Sequence, residues 1–202
     1  MSLSALVSNR TQLVVRQARE MAEVLLGFET RNRYAICAPE GDVVGYCVEE
    51  GSGVGAMIAR NLLGTARPAT FHVYDPEKRE IGRGVKPFRL WFHRIDVYEG
   101  TTLVGSVERR IGLLRRVFRV EDANGNTLAT IQSKFMSNRS FVVDEGGQEV
   151  GGIAKKWGGF SRELFTDADT FGVELGRASP ALRPLLLLAT FLIDMTFFEK
   201  GG

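Results

Sequence analysis

The residue types best suited to binding chemistry gather toward the C-terminus. In FSRELFTDADTFGVEL, Phe160–Leu175, Asp167 and Asp169 place two hard carboxylate donors at i and i+2, and Gly172 stands sixth when Asp167 is counted as first. The opening resembles an EF-hand loop, in which a glycine at the sixth position lets the ligands close around a cation. The pattern then weakens. Phe171 occupies the fifth position, Val173 offers only its backbone carbonyl at the seventh, Ala178 replaces the final acid, and Glu174 is near but off register. So few carboxylates predict a Ca²⁺ site of about millimolar affinity at best. The alternative is structural, with Asp167 and Asp169 hydrogen-bonding the turn that enters the last strand.

A second group is cationic. Arg109, Arg110, Arg115, Arg116 and Arg119 crowd one strand-like stretch, countered nearby by Glu108. Such a cluster predicts a patch for anionic lipid or phosphate, and its plainer alternative is a solvated sheet face. A third candidate is Asp194, a carboxylate inside the apolar run PLLLLATFLIDMTFFEK at Pro184–Lys200, with Thr190 four residues earlier on the same helical face. It is read either as a hydrogen-bonded carboxylate at the mouth of the fold or as a polar partner for a lipid headgroup.

Catalysis has little support. His72 and His93 are the only histidines, and neither has a Cys, Ser or Asp at a recognisable motif spacing. The glycines at Gly51–Gly55 lack the Lys-Ser/Thr ending of a phosphate loop. Cys37 and Cys47 flank one predicted hairpin and are expected as reduced thiols. The net charge of +2 over 202 residues sets up no global field for nucleic acid. The start, MSLSALVSNRTQLVV, has no basic leader with a long apolar core, and Ser2 is not the glycine that myristoylation needs. Residues 1–11 are therefore expected as a tail.

The elements that must position these groups repeat one idea. Tyr34–Glu50, Phe71–Phe88, Ile95–Arg110, Phe118–Ile131 and Phe141–Trp157 each read as strand, turn, strand. The turns are clearest at Asn124-Gly125 and Gly146-Gly147, whose residues tolerate positive φ. The last four units start roughly 23 residues apart. LVVRQ near the start and a strand around Phe171–Leu175 bring the total to about twelve. Gln17–Leu26 is predicted as a short helix and Gly51–Gly64 as an irregular loop.

The closing apolar run is a helix, expected over about 181–199. At 1.5 Å per residue, Pro184–Lys200 spans roughly 25 Å, short of the roughly 30 Å of a bilayer core. A helix apolar on every side belongs inside a fold, with a tail anchor or membrane-dipping helix as the alternative. An eight-stranded barrel is filled by its own side chains, whereas a wider one has room for a helix. The expected architecture is a mainly β fold, a closed antiparallel barrel of about twelve strands over residues 12–200. The C-terminal helix threads it, with Leu187 and Phe191 inside.

GFETRNRYAI at Gly27–Ile36, Arg67-Pro68, KPFR at Lys86–Arg89, KKWGGFSRELFTDADTFGVEL at Lys155–Leu175 and FLIDMTFFE at Phe191–Glu199 resemble the phospholipid scramblase family. The resemblance runs from about Gln12 to Glu199, and the family is related to the tubby C-terminal domain and the LURP-one-related proteins. It implies a twelve-stranded barrel around a central hydrophobic helix. It also implies Ca²⁺-stimulated, ATP-independent phospholipid movement, with a calcium segment at Asp167 and Asp169. Lys155 and Lys156 would join the arginines at anionic lipid. The family's palmitoylated cysteine cluster is replaced by LWF at Leu90–Phe92, and its Pro-rich N-terminal extension has no counterpart here. Two functions are thus expected. One is a scramblase-type protein peripheral to the inner face of the plasma membrane. The other is a soluble, cytoplasmic tubby-like module that binds anionic headgroups or a hydrophobic ligand without transport.

Overall fold

The computed structural model describes residues 1–17, 32–50, 62–135, 137, 139–155 and 170–198. Twelve strands close into one antiparallel barrel: β1 (Gln12–Gln17), β2 (Arg33–Cys37), β3 (Val43–Glu49), β4 (Ala69–Tyr74), β5 (Glu80–Lys86), β6 (Arg94–Glu99), β7 (Thr102–Arg110), β8 (Val117–Asp122), β9 (Thr127–Ser133), β10 (Ser140–Glu145), β11 (Gln148–Lys155) and β12 (Thr170–Glu174). Each strand pairs with its neighbours in sequence, and β1 closes the circle on β12 through Gln12↔Glu174 to Arg16↔Thr170. Closure leaves no free sheet edge.

The five expected hairpins are β2–β3, β4–β5, β6–β7, β8–β9 and β10–β11. Register shifts fall at Val73/Tyr74, Val97/Tyr98, Val120/Glu121 and Val143/Asp144. They keep the period of roughly 23 residues seen in the sequence, and each bends its strand pair near the hairpin turn. Asn124-Gly125 and Gly146-Gly147 lie in such turns, with Gly125 at φ 84° and Gly146 and Gly147 at 63° and 85°. The predicted helix at Gln17–Leu26 lies outside the described residues, except for Gln17, which ends β1. Of the predicted loop at Gly51–Gly64, only the last residues are described, and Gly64 opens a 3₁₀ turn, Gly64–Ala66.

The C-terminal helix, α2 (Leu182–Phe197), runs through the barrel, with Leu185–Ala189 and Phe191–Ile193 fully buried. Its Phe191 ring stacks on Phe71 at 5.7 Å and tilts against Tyr34 at 5.0 Å. Alternate residues of the strands point inward, and together with α2 they form one continuous core. Where the helix passes closest, the barrel wall has glycine. A Cβ on Gly84 would stand 2.8 Å from Leu188 Cδ1, and one on Gly105 would stand 3.0 Å from Leu185 Cδ1.

Residues 1–11 are not a simple tail. Leu3–Ser8 form α1, capped by Ser2 Oγ, which accepts from Ala5 N at 3.1 Å. Leu3, Leu6 and Val7 are buried and seal the end of the barrel that carries the short turns. Arg183, at the start of α2, donates to the carbonyls of Val7 (3.5 Å) and Ser8. A six-residue helix has too few turns to show periodicity, and its three apolar residues take meaning only from the open barrel end they cover.

Replacing Leu187 by Ala is expected to lower unfolding free energy by about 2–5 kcal/mol, because the filled barrel cannot collapse onto the cavity. Leu113→Ala, on a fully exposed loop residue, should stay within about 0.5 kcal/mol. Urea denaturation of the two variants checks both.

Candidate functional site: the basic mouth of the barrel

The two barrel ends differ. Short turns and α1 close one; the other holds the C-terminus of α2 and the longer connections. At this second end, the mouth, the alternation that buries apolar residues continues one step further and lands on polar ones. Two residues beyond core Cys47 stands Glu49, beyond Gly84 stands Lys86, beyond Val107 stands Arg109, and beyond Ile153 stands Lys155. Two before Phe118 stands Arg116, and two before Ile36 stands Tyr34.

Helix α2 has no basic residue in its last turn, and a helix C-terminus carries partial negative charge. The barrel rim supplies the cations instead. The Arg116 guanidinium lies 3.9 Å from the centre of the Phe197 ring, and Arg109 lies 5.2 Å from it. Lys155 Nζ sits 4.5 Å above Phe198 and 5.3 Å from the Phe171 ring. Burial first, and then the neighbouring Arg109, hold the Arg116 pKa below its usual value. Two guanidinium groups thus share a partly dry site with the same sign of charge.

Asp194 is tied into this rim. Tyr34 Oη donates to its Oδ2 at 2.7 Å, and Lys155 Nζ lies 3.4 Å from its Oδ1. Burial, then the Asp194 carboxylate, raises the Tyr34 pKa well above normal, so the phenol stays a donor. Thr190 does not reach Asp194; its hydroxyl donates to the Leu186 carbonyl at 3.1 Å. Beside this triad, Glu49 pairs with Arg67 and accepts from Asn32 Nδ2 at 2.5 Å, while Lys86 Nζ donates to the Arg67 carbonyl at 2.5 Å. Sequence reasoning missed this buried plug. Its signal was a charge two residues beyond each core position, and Arg67-Pro68 and Lys86 had entered only through family resemblance.

The five arginines do not form one patch. Strand alternation sends Arg109 and Arg116 into the mouth and Arg110 and Arg119 to the outer face. There Arg119 meets Glu121 at 2.5 Å, and Arg110 lies 3.4 Å from Glu108 and 3.9 Å from Glu121. Arg115 is exposed in the loop between β7 and β8. Four of them still border a common cleft of about 850 Å³, together with Trp91, Phe92, Leu113 and Ser133. No acidic residue lines it among the described residues. Guanidinium forks match phosphate oxygens in pairs, and the apolar margin suits an amphiphile.

The remaining candidates fall elsewhere. Asp167, Asp169 and Lys156 lie outside the described residues. Phe171 and Val173 point into the core from β12, which is paired on both sides, and Glu174 is exposed at the far end of that strand. Five residues of strand put Glu174 roughly 13 Å beyond Thr170. Among the described residues no cluster of His, Cys, Asp and Glu could hold a metal. Burial raises the pKa of both Cys37 and Cys47, with Arg16 opposing it at Cys37, and protonated buried thiols are poor nucleophiles. His72 lies between Glu80 (3.0 Å) and Glu50 (3.4 Å).

His93 is buried at the mouth with Nδ1 unpartnered. Burial, then Lys86 and Arg109, lower its pKa to about 4. As pH falls below about 6.5 the unfolded chain takes up this proton and the folded chain does not, so stability must drop between about pH 6.5 and 4. Solvent screening at the mouth limits the loss to about 1–2 kcal/mol. His93→Gln should flatten the urea midpoint across that window, and an unchanged slope would refute the assignment.

The Scramblase family model matches residues 2–200. The chain is 31% identical over 207 residues to phospholipid scramblase 1 of Mus musculus, covering 95% of this chain and 62% of the relative. It is 27% identical over 210 residues to phospholipid scramblase 2 of Homo sapiens, covering 96% and 69%. It is 26% identical over 197 residues to altered inheritance rate of mitochondria protein 25 of Saccharomyces cerevisiae, covering 85% and 60%. The chain thus spans about three fifths of the length of the mouse relative. With the family match across nearly all of its length and the barrel that the resemblance implied, the chain belongs to the phospholipid scramblase family.

Proposed function

We propose that this chain is a phospholipid-binding barrel that takes an anionic headgroup at its basic mouth. The observation that carries this reading is the cleft bordered by Arg109, Arg110, Arg115 and Arg116 with no acidic lining among the described residues. The phosphate meets the guanidinium groups, and acyl chains run along the apolar margin. The interior is unsuited to a hydrophobic ligand, because α2 already fills it. The protein acts peripherally, at the cytoplasmic leaflet, where anionic lipids concentrate.

A second reading is Ca²⁺-stimulated, ATP-independent movement of phospholipid between leaflets, favoured by the names its relatives carry. No described helix is long and apolar enough to cross a bilayer, so α2 is not the path. Asp167 and Asp169 are the carboxylates that would take Ca²⁺. They lie in sequence between Lys155 and Thr170, whose strand ends stand at the mouth. A weakly held cation there would add to the attraction for anionic headgroups.

Co-sedimentation with phosphatidylserine-containing vesicles tests the first reading. The double variant Arg109→Gln/Arg116→Gln should bind at least about tenfold more weakly, since each cation near the surface contributes about 1 kcal/mol. Wild-type affinity in that variant refutes headgroup binding at the mouth. Reconstitution with a fluorescent lipid and an impermeant quencher tests the second. Transport carries quenching past the outer-leaflet half when Ca²⁺ is added, and Asp167→Ala/Asp169→Ala removes the response. A plateau at half leaves binding alone.

A further inference from the structure

Exposed apolar side chains are not spread over this protein. Among the described residues every large one apart from Met1 belongs to a connection at the mouth. The β5–β6 loop presents Leu90 and Trp91 (75% exposed), and the β7–β8 loop presents Ile111, Leu113 (100% exposed) and Leu114. The β9–β10 loop adds Phe135. Scattered exposed leucines need no explanation, but a set gathered at one end of a molecule marks an interaction surface.

Charge identifies the partner. The described mouth connections carry a single acidic residue, Glu50, against Arg67, Arg89, Arg115, Arg116, Lys134 and Arg139. The opposite end is mostly acidic, with Glu40, Asp42, Glu77, Asp122, Asp144 and Glu145 in or beside its turns against Arg10, Lys78, Arg79 and Arg177. An anionic surface therefore attracts one end of the barrel and repels the other. Apolar tips carried on separate loops, with arginines between them and a tryptophan among them, match the interfacial layer of a bilayer, where indole rings settle and basic side chains meet phosphates.

We infer that the mouth is a membrane-insertion face. The tips at Leu90–Trp91 and Ile111–Leu114 enter the headgroup–acyl boundary of an anionic bilayer, and the barrel stands mouth-down with α1 in the water. This rests on the phospholipid reading above and deepens it, because insertion brings the arginine cleft level with lipid phosphates. The docking is apolar as well as electrostatic. High salt weakens it without abolishing it, whereas a purely cationic patch would let go.

The experiment uses the full chain with Trp157→Phe, which leaves Trp91 as the only tryptophan, and mixed phosphatidylcholine–phosphatidylserine vesicles. Vesicles should shift Trp91 emission to the blue, and acyl-chain quenchers placed near the headgroup should quench it more than deep ones. Leu90→Ser/Phe135→Ser, at exposed tips outside the cleft lining, should lower vesicle affinity at least tenfold while leaving the affinity for water-soluble glycerophosphoserine and the thermal midpoint unchanged. Arg109→Gln/Arg116→Gln should weaken both ligands, which separates failure of headgroup binding from failure of insertion. Vesicle binding with Trp91 emission unmoved, or wild-type vesicle affinity in the serine variant, overturns the insertion face. A Trp91 shift that follows protein concentration without vesicles overturns it as well, in favour of self-association.

Discussion

A helix with no polar side and a barrel too wide to fill itself each solve the other's problem. Leu185–Ala189 and Phe191–Ile193 have no exposed face, so α2 needs an apolar surround along its whole length. The twelve-stranded wall offers that surround, and without the helix it would enclose a void. The fit is also one of length, since 16 residues of α2 span roughly 24 Å, comparable to the height of the barrel's strands. Glycines at positions 84 and 105 let the wall approach the helix. Once the interior is occupied in this way, ligand chemistry is displaced to the rim.

The rim is where two electrostatic demands meet. The helix C-terminus attracts cations, and the strand alternation delivers them at Arg109, Arg116 and Lys155. Lys155 finds a carboxylate in Asp194. Arg109 finds the Phe197 ring but no carboxylate among the described residues, and its charge helps depress the pKa of Arg116. An anion placed between them relieves this repulsion, and the same anion in water would gain less because bulk solvent screens its attraction. A preference for phosphate thus grows out of the way the barrel accommodates its own helix.

Much of this was legible in the chain. Five hairpins, their turns at Asn124-Gly125 and Gly146-Gly147, and the repeat of roughly 23 residues follow from local rules of alternation and positive φ, which the closed barrel leaves unbroken. The path of α2 followed from length and from apolarity on all sides. What was hidden depended on which face of a strand a charge occupies. Arg109 and Arg110 are adjacent in sequence and lie on opposite sides of the wall. Glu49, Arg67 and Lys86 look like surface charges until the neighbouring core residues are placed. The exposed leucines of the β7–β8 loop carry no periodic signal at all, and only their company at one end of the barrel gives them meaning.

The sheathed helix also constrains how such a protein meets a membrane. Burial of Leu185, Leu186, Leu187, Leu188, Phe191, Leu192 and Ile193 contributes roughly 10–20 kcal/mol at about 1.5–3 kcal/mol each. A whole domain of this size is stable by only about 5–15 kcal/mol. Withdrawing α2 to insert it in lipid would therefore unfold the barrel, and lipid would have to solvate both the helix and the emptied wall. Reversible membrane contact has to use surface that folding leaves outside. At the mouth that surface is apolar, basic and adjacent to the cleft, so attachment and headgroup recognition become two parts of one encounter that leaves the core undisturbed.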